Sequence, residues 1–434
     1  MVKKIGIYKG CLALSPLIVF LGLYVGVSLV IGDFYKIPLS VALLVATVWG
    51  LLVFRNQTFL ERVETFAREA GNSNILYMIW IFLLAGCFAT LADKTGAVES
   101  TVALTMNQLP SSFVMPGLFL AACFISMAIG TSVGTVVALT PLAVNFAQNV
   151  GADIPFFVAI VLGGSFFGDN LSFISDTTIA ATRTQGCKMN EKFKSNFLLV
   201  LPAAIITFGI YLFGDFTIEN STGGAPANPW LVIPYLAVIV LAISGVNVSL
   251  TLLSGILLAI IIALSLGYDF FSILGFMGEG MDGMGNLIIV TILAAGMLGL
   301  IKSAGGVDFL LGMLTSKIKG KRGAQGAIAS LVGIVNLCTA NNTVAILTVG
   351  SISKNIASEY NILPRRSASL LDTASCIVQS LIPYGAQTLL ATSLASIPPT
   401  APWPYLYYPW ALAVIVILSI IISPFNRTRL LSRN

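Results

Sequence analysis

Gly163-Gly164-Ser165-Phe166-Phe167-Gly168-Asp169-Asn170-Leu171-Ser172-Phe173-Ile174-Ser175-Asp176-Thr177-Thr178 lies inside a long apolar run, 154–182, yet places Asp169, Asn170, Ser172, Ser175, Asp176 and Thr177 within nine residues. So dense a set of polar groups cannot face lipid, and backbone leaves a helix at membrane depth only where it is buried in protein or lines a cavity. The glycines lower the cost of unwinding. An unwound stretch frees carbonyl oxygens, which join carboxylate and hydroxyl oxygens in the hard-oxygen environment that Na+ or Li+ requires, while the half-helix ends add a dipole field. In a continuous helix Asp169 and Asp176 would share a face roughly 10 Å apart along the axis. A break between them would bring both to one cavity. The local alternative is that Asp176 caps a half-helix starting at Thr177 and Asp169 closes the preceding turn.

Composition sets the surroundings. Of the 434 residues 57% are hydrophobic and 9% charged, with a mean hydropathy of +0.94, which is a polytopic membrane protein rather than a soluble one. The net charge of +5 matters here through its distribution and points to no nucleic-acid partner. There is no histidine. Three of the eighteen acidic residues, Asp169, Asp176 and Asp372, fall in segments apolar enough to lie in a bilayer. A carboxylate at that depth costs several kcal/mol unless it is partnered or faces water, which makes each a functional candidate. No Lys or Arg is expected deep enough to pair with them. The six cysteines are scattered and read as packing residues. Nucleophile–base pairs, metal-ligand spacings, P-loops and dinucleotide fingerprints are missing, so no enzyme and no resident cofactor is expected.

Apolar runs at 10–31, 38–54, 74–92, 154–182, 195–213, 231–245, 247–267, 286–302, 366–396 and 403–423 give ten candidate crossings. The first follows Lys3, Lys4 and Lys9 but is long enough to span, and it reads as a retained helix rather than a cleaved signal. Two further apolar stretches, 112–149 and 325–357, are interrupted by Gly130-Thr131-Ser132-Val133-Gly134-Thr135 and by Thr339-Ala340-Asn341-Asn342-Thr343. Each reads as a re-entrant hairpin; two full crossings in their place, with 93–109 and its counterpart also crossing, would keep the same parity. The segment 93–109 carries Asp93, Lys94 and Glu99 and reads better as an interfacial amphipathic helix. With the N-terminus cytoplasmic, 21 of the 23 basic residues, Lys192 among them, collect on the cytoplasmic side, leaving Lys36 and Lys94 outside.

The order of elements in 10–214 recurs in 230–423. Gly-Ala-Val-Glu at 96–99 is echoed by Gly-Gly-Val-Asp at 305–308, and Thr178–Thr182 by Thr388–Thr392. Five crossings per half is an odd number, so the expected architecture is all-α with two inverted repeats, each holding a hairpin and a broken helix. Paired broken segments in inverted repeats point to a secondary transporter with its site at the bilayer midplane.

In the second half the broken crossing carries Asp372, Ser375, Gln379, Ser380, Pro383 and Gln387. Pro383 removes a backbone donor and disfavours helix at Ile382, so the break belongs there. Asp372 lies less than two turns beyond Arg365 and Arg366 and would otherwise pair with them. In the interrupted stretches Thr131, Ser132, Thr135, Asn341, Asn342 and Thr343 offer neutral oxygens and amides, for ligands or for packing between helices. Two adjacent asparagines at an apolar midpoint exceed what packing needs.

The paired segments Gly130 to Thr135 and Gly168 to Thr178, with Leu371-Asp372-Thr373 and Ser380-Leu381-Ile382-Pro383, resemble the signature of the NhaC-type Na+/H+ antiporter family within the ion transporter superfamily. The likeness covers nearly the whole chain. It implies a bacterial inner-membrane exchanger, a homodimer that moves its transport domain elevator-fashion. Phe173 stands where that family usually has proline, and Asn341 where many members place a carboxylate after the alanine. The leading expectation is Na+/H+ antiport by alternating access. Asp169 and Asp176 would be shared by Na+ and H+, Asn170, Ser172, Thr177, Thr131, Ser132 and Thr135 would be neutral ligands, and Asp372 a second acidic site. The competing expectation is a Na+- or H+-coupled carrier of a small organic or amino acid, held by Asn341, Asn342, Thr343, Ser375, Gln379, Ser380 and Gln387. A channel would need continuous pore-lining polarity, which two isolated clusters do not supply.

Overall fold

The computed structural model describes residues 6–27, 31, 37–54, 57–98, 100, 101, 104, 113–149, 151–172, 175–214, 228–244, 246–315, 318 and 320–422. Among them the regular structure is entirely helical, with no strand. The first half runs α1 (Ile7–Leu21), α2 (Leu39–Val53), α3 (Phe59–Ala70), α4 (Ser73–Lys94), α5 (Val114–Ile129), α6 (Ser132–Asn149), α7 (Ile154–Leu171), α8 (Asp176–Gln185) and α9 (Met189–Phe213). The second runs α10 (Ile233–Ile243), α11 (Val248–Ser265), α12 (Phe270–Gly283), α13 (Gly285–Ser303), α14 (Gly306–Thr315), α15 (Gly320–Thr339), α16 (Asn342–Glu359), α17 (Pro364–Leu381), α18 (Ala386–Leu394) and α19 (Tyr407–Ile421).

Six described spans are long and apolar enough to cross a bilayer: Ile7–Tyr24, Ile75–Lys94, Ile154–Gln185, Met189–Phe213, Val248–Ser265 and Phe270–Ser303. Shorter apolar helices occupy Leu39–Val53, Val114–Met127, Pro229–Leu241 and Tyr407–Ile421. The chain is therefore a multi-pass membrane protein. α17 is missing from both sets because it is too polar, yet every side chain from Arg366 to Cys376 is buried. It is wrapped by protein on all sides, where polar residues can find partners instead of lipid. Eight of the seventeen residues of the segment 93–109 expected as an interfacial helix, the loop 214–230 apart from its ends, and Phe173 lie outside the described residues, and Asp93 and Lys94 close α4.

Both interrupted stretches are helix, break, helix. α5 ends in Gly130 at φ +74°, and α15 ends in Ala340 at φ +48°, left-handed conformations that stop a helix within one residue. The breaks in the two long crossings fall where the sequence placed them, between Leu171 and Asp176 and between Leu381 and Ala386. The starts of α16 and α18 and the ends of α15 and α17 each come 210 residues after those of α6, α8, α5 and α7. The side-chain contacts keep that spacing: Ser126 Oγ donates to the Ser165 carbonyl at 2.5 Å, and Asn336 Nδ2 to the Ser375 carbonyl at 2.8 Å.

These eight helices form the centre. α7 packs on α5, α6 and α17, α8 on α16 and α17, and α6 on α18, so the two halves interlock at their breaks. The α5–α7 crossing is close because Gly164 and Gly168 carry no Cβ; one built on Gly168 would lie 2.2 Å from Ser126 Cβ. Outside this centre α2 and α3 pack on α13, and α11 and α12 on α4.

Candidate ion-binding site

Where α7 stops, its last carbonyls lose their helical donors, and where α6 begins, its first N–H groups lack acceptors. The site grows from these two deficits. Asp169, 4% exposed in the last turn of α7, meets the first turn of α6: its Oδ1 accepts from the Ser132 N–H at 3.0 Å and its Oδ2 from Ser132 Oγ at 2.6 Å. A carboxylate at a helix N-terminus is favoured by both the free donors and the dipole. Across the break Thr177 Oγ1 donates to the Asp169 carbonyl at 3.4 Å and lies 2.7 Å from Ser175 Oγ. Ser172 is buried in the break, and Thr178 Oγ1 donates to its carbonyl at 2.9 Å.

The second broken crossing reaches the same place. Gln387 Nε2 donates to Ser132 Oγ at 2.9 Å and Gln387 Oε1 accepts from Gln379 Nε2 at 3.0 Å. Gln379 Nε2 also reaches the Ala340 carbonyl at 3.1 Å, at the tip of the second interrupted stretch. A continuous hydrogen-bonded line thus runs from Asp169 through Ser132, Gln387 and Gln379 to Ala340, crossing from one half to the other.

Asp372 belongs to a second cluster, and here the sequence reading is corrected. Its Oδ2 is 2.7 Å from Lys192 Nζ, with the two side chains 0% and 1% exposed. Asn196 Nδ2 donates to the same oxygen at 2.7 Å. Lys192 also donates to the Asn170 carbonyl at 2.8 Å and to Thr178 Oγ1 at 2.7 Å, and Asn196 Nδ2 to the Asn170 carbonyl at 2.8 Å. A basic residue is therefore buried deeply enough to pair with an intramembrane aspartate, and Lys192 is no solvated cytoplasmic charge. Arg366 turns away from Asp372, to Gln325 Oε1 at 2.9 Å and Ser419 Oγ at 2.7 Å. Lys192 and Asn196, both missed in the sequence, stand four apart at the start of α9, so one face presents both to the break.

The remaining candidates separate. Asp176 opens α8 and is exposed; Ser175, not Asp176, occupies the N-cap position, and α8 begins one residue before Thr177. The carboxylates of Asp169 and Asp176 are thus in different surroundings. Asn170 is fully buried and donates to the Phe166 carbonyl at 2.9 Å and to the Tyr408 hydroxyl at 3.4 Å. Thr131 is half-buried, and Thr135 Oγ1 donates to its carbonyl at 3.3 Å. Asn341 caps α16, its Oδ1 accepting from Val344 N at 3.0 Å, while Asn342 Oδ1 accepts from Thr343 N at 3.0 Å and its Nδ2 lies 3.8 Å from Cys376 Sγ. Ser375 Oγ and Ser380 Oγ donate to carbonyls three residues back, within α17.

Cavities flank this centre. One of about 300 Å³ lies between α4 and α12 on one side and α6 and α18 on the other, with Asp93, Glu279, Asn145 and Gln148 on its wall. Another of about 130 Å³ lies between α3, α4 and α13 and the α15–α16 break, with Glu69, Lys302 and Asn341 on its wall.

The sequence is similar to those of known antiporters. The chain is 24% identical over 386 residues to the Na+/H+ antiporter NhaC of Bacillus subtilis strain 168, covering 80% of this chain and 84% of that protein. It is 24% identical over 381 residues to the Na+/H+ antiporter NhaC of Alkalihalophilus pseudofirmus, with 80% and 82% covered. A malate-2H+/Na+-lactate antiporter of Bacillus subtilis is 21% identical over 446 residues, with 94% of each chain covered. The model of the Na+/H+ antiporter family matches residues 11–214 and 221–426. With nearly all of both halves matched, the chain belongs to the Na+/H+ antiporter family.

Proposed function

We propose that this chain exchanges Na+ for H+ across a bacterial inner membrane by alternating access, and that Asp169 is the carboxylate that Na+ and H+ occupy in turn. The observation that carries this reading is the setting of Asp169. It is buried, its two carboxylate oxygens are held by a single residue, Ser132, and no cation of the protein is paired with it among the described residues. A buried carboxylate without a counter-ion is stabilised by a proton or by a cation, and exclusive occupancy by one or the other is antiport. Ser172, Thr177 and the carbonyls released at the break supply neutral oxygens beside it.

Alternating access is supported by the division into eight central helices and an outer set, with cavities along the seam between them. In this reading the interrupted stretches are re-entrant hairpins, the halves are inverted repeats, both termini are cytoplasmic, and a homodimer provides the fixed frame. Asp176, exposed at the first turn of α8, attracts the cation toward the break.

A second reading has its own support. The line Ser132, Gln387, Gln379 is neutral and rich in amides, suited to an organic carboxylate, and one relative is named for malate and lactate exchange. Proteoliposomes loaded with a pH dye and exposed to Na+, Li+ or a panel of organic acids separate the two. Proton efflux driven by Na+ alone, lost in Asp169→Asn, is expected. Efflux that requires an organic acid favours the second reading, and Na+-driven efflux that survives Asp169→Asn refutes the first.

A further inference from the structure

The described residues contain two buried acids, Asp169 and Asp372, and they are partnered in opposite ways. Asp169 meets neutral donors, whereas Asp372 meets an ammonium. That ammonium has three N–H donors and three oxygen acceptors at 2.7–2.8 Å: a carboxylate oxygen of Asp372, the hydroxyl of Thr178 and the carbonyl of Asn170. Carboxylate, hydroxyl and released carbonyl are the ligand types that a dehydrated Na+ takes in a transporter. The carbonyl of Asn170 is free for this because α7 ends one residue later. Two elements of the first half, α7 and α8, and one of the second, α17, converge on Nζ, so the charge is fixed between the two broken crossings.

We propose that Lys192 is a tethered cation filling a latent monovalent-cation site, so that Asp372 carries no ion and one Na+ is bound per chain, at Asp169. The proposal rests on the reading of Asp169 given above. Two further observations support it. The Asp372 Oδ1 and Asn196 Oδ1 atoms are buried and without a hydrogen-bond partner, so the pocket holds more oxygen than the ammonium engages. The residue 210 positions after Asp169 is Gln379, whose amide donates to Ala340 and Gln387, so the corresponding position of the second half offers no carboxylate to an ion.

The test counts Na+ bound to the purified full-length chain by equilibrium binding of radioactive 22Na+. Wild type is expected to bind one per chain. Lys192→Met removes the tethered charge and leaves its oxygens, so it is expected to bind two, with a melting temperature that rises with Na+ more than that of wild type. Lys192→Met combined with Asp372→Asn is expected to return to one. Lys192→Gln, which keeps a hydrogen-bonding head, gives the same count of two should the methionine variant fail to fold. Two Na+ in wild type, or one in both Lys192 variants, overturns the proposal. Asp169→Asn tells the two ideas apart: an undiminished count in that variant defeats the reading of Asp169, while a count of zero there alongside a count of one in the Lys192 variants defeats the tethered cation alone.

Discussion

Breaking the Lys192–Asp372 pair from one side should cost far more than removing it whole. Lys192 and Asp372 are 1% and 0% exposed and 2.7 Å apart, so neither charge can be solvated if its partner is lost. Leaving one member of a buried pair uncompensated costs about 3–5 kcal/mol, while replacing both by apolar residues of similar volume is often neutral. Asp372→Leu strands an ammonium among neutral oxygens, and Lys192→Met strands a carboxylate. Each single variant should therefore lose about 3–5 kcal/mol in Na+-free buffer, and Lys192→Met with Asp372→Leu should lose less than either. The hydrogen bonds from Asn196 to Asp372 and to Asn170 set the residual loss, about 1 kcal/mol for the one that a leucine side chain in place of the carboxylate cannot accept. Unfolding titrations in mixed micelles, read by tryptophan fluorescence across the four proteins, give the coupling energy. A double variant whose loss equals the sum of the single losses would show that the two charges are independent, and the argument from burial would fail.

Three further outcomes follow from particular contacts. Asp169→Asn should abolish Na+-driven proton flux, whereas Asp176→Asn, at an exposed position, should reduce it by less than tenfold; the reverse order in a vesicle assay would exchange their roles. Gln387→Leu removes the links to Ser132 and Gln379, each worth about 1 kcal/mol, and should weaken half-saturation by Na+ by roughly 5–30-fold without loss of fold. Gly168→Ala forces a Cβ to within 2.2 Å of Ser126 Cβ and 2.5 Å of the Met127 backbone nitrogen and should destabilise by about 1–3 kcal/mol, while Gly117→Ala, with open space around it, should be neutral or stabilising by about 1 kcal/mol in thermal unfolding.

Much of this organisation was written in local chemistry. Pro383 and the glycine–polar run at 163–178 placed both breaks, because a missing backbone donor and dense polarity in an apolar run are each incompatible with an unbroken lipid-facing helix. The positive-φ stops differ in legibility: Gly130 announces itself, whereas Ala340 adopts φ +48° only because the surrounding tip holds it there. Lys192 was illegible for a different reason. A lysine at the start of a long apolar helix ordinarily marks the membrane surface, and only the packing of α9 against α7 and α17 buries it. For Asp372 the alternative to a second acidic site was a pair with Arg365 or Arg366, close in sequence, whereas the fold supplied a partner 180 residues away. The adjacent asparagines also have a structural use. Asn341 is occupied as a helix cap, an ordinary use of that residue type.

The two halves thus share a backbone plan and divide its chemistry. At each break the helix ends leave carbonyls and N–H groups that something must satisfy. In the first half Asp169 satisfies the start of α6, which leaves a negative charge that an exchanged ion can neutralise. The corresponding position of the second half carries Gln379, which satisfies Ala340 and Gln387 with an amide and leaves no charge at all. The charge that the second half does contain, Asp372, is neutralised from within by Lys192. Symmetry of fold with asymmetry of charge is what the proposed exchange of one ion per chain requires. Two equivalent unpaired acids would bind two cations, and two neutral sites would bind none. Because Lys192 takes the carbonyl of Asn170, next to Asp169 in sequence, the neutral pair also braces the backbone on which the Asp169 carboxylate sits.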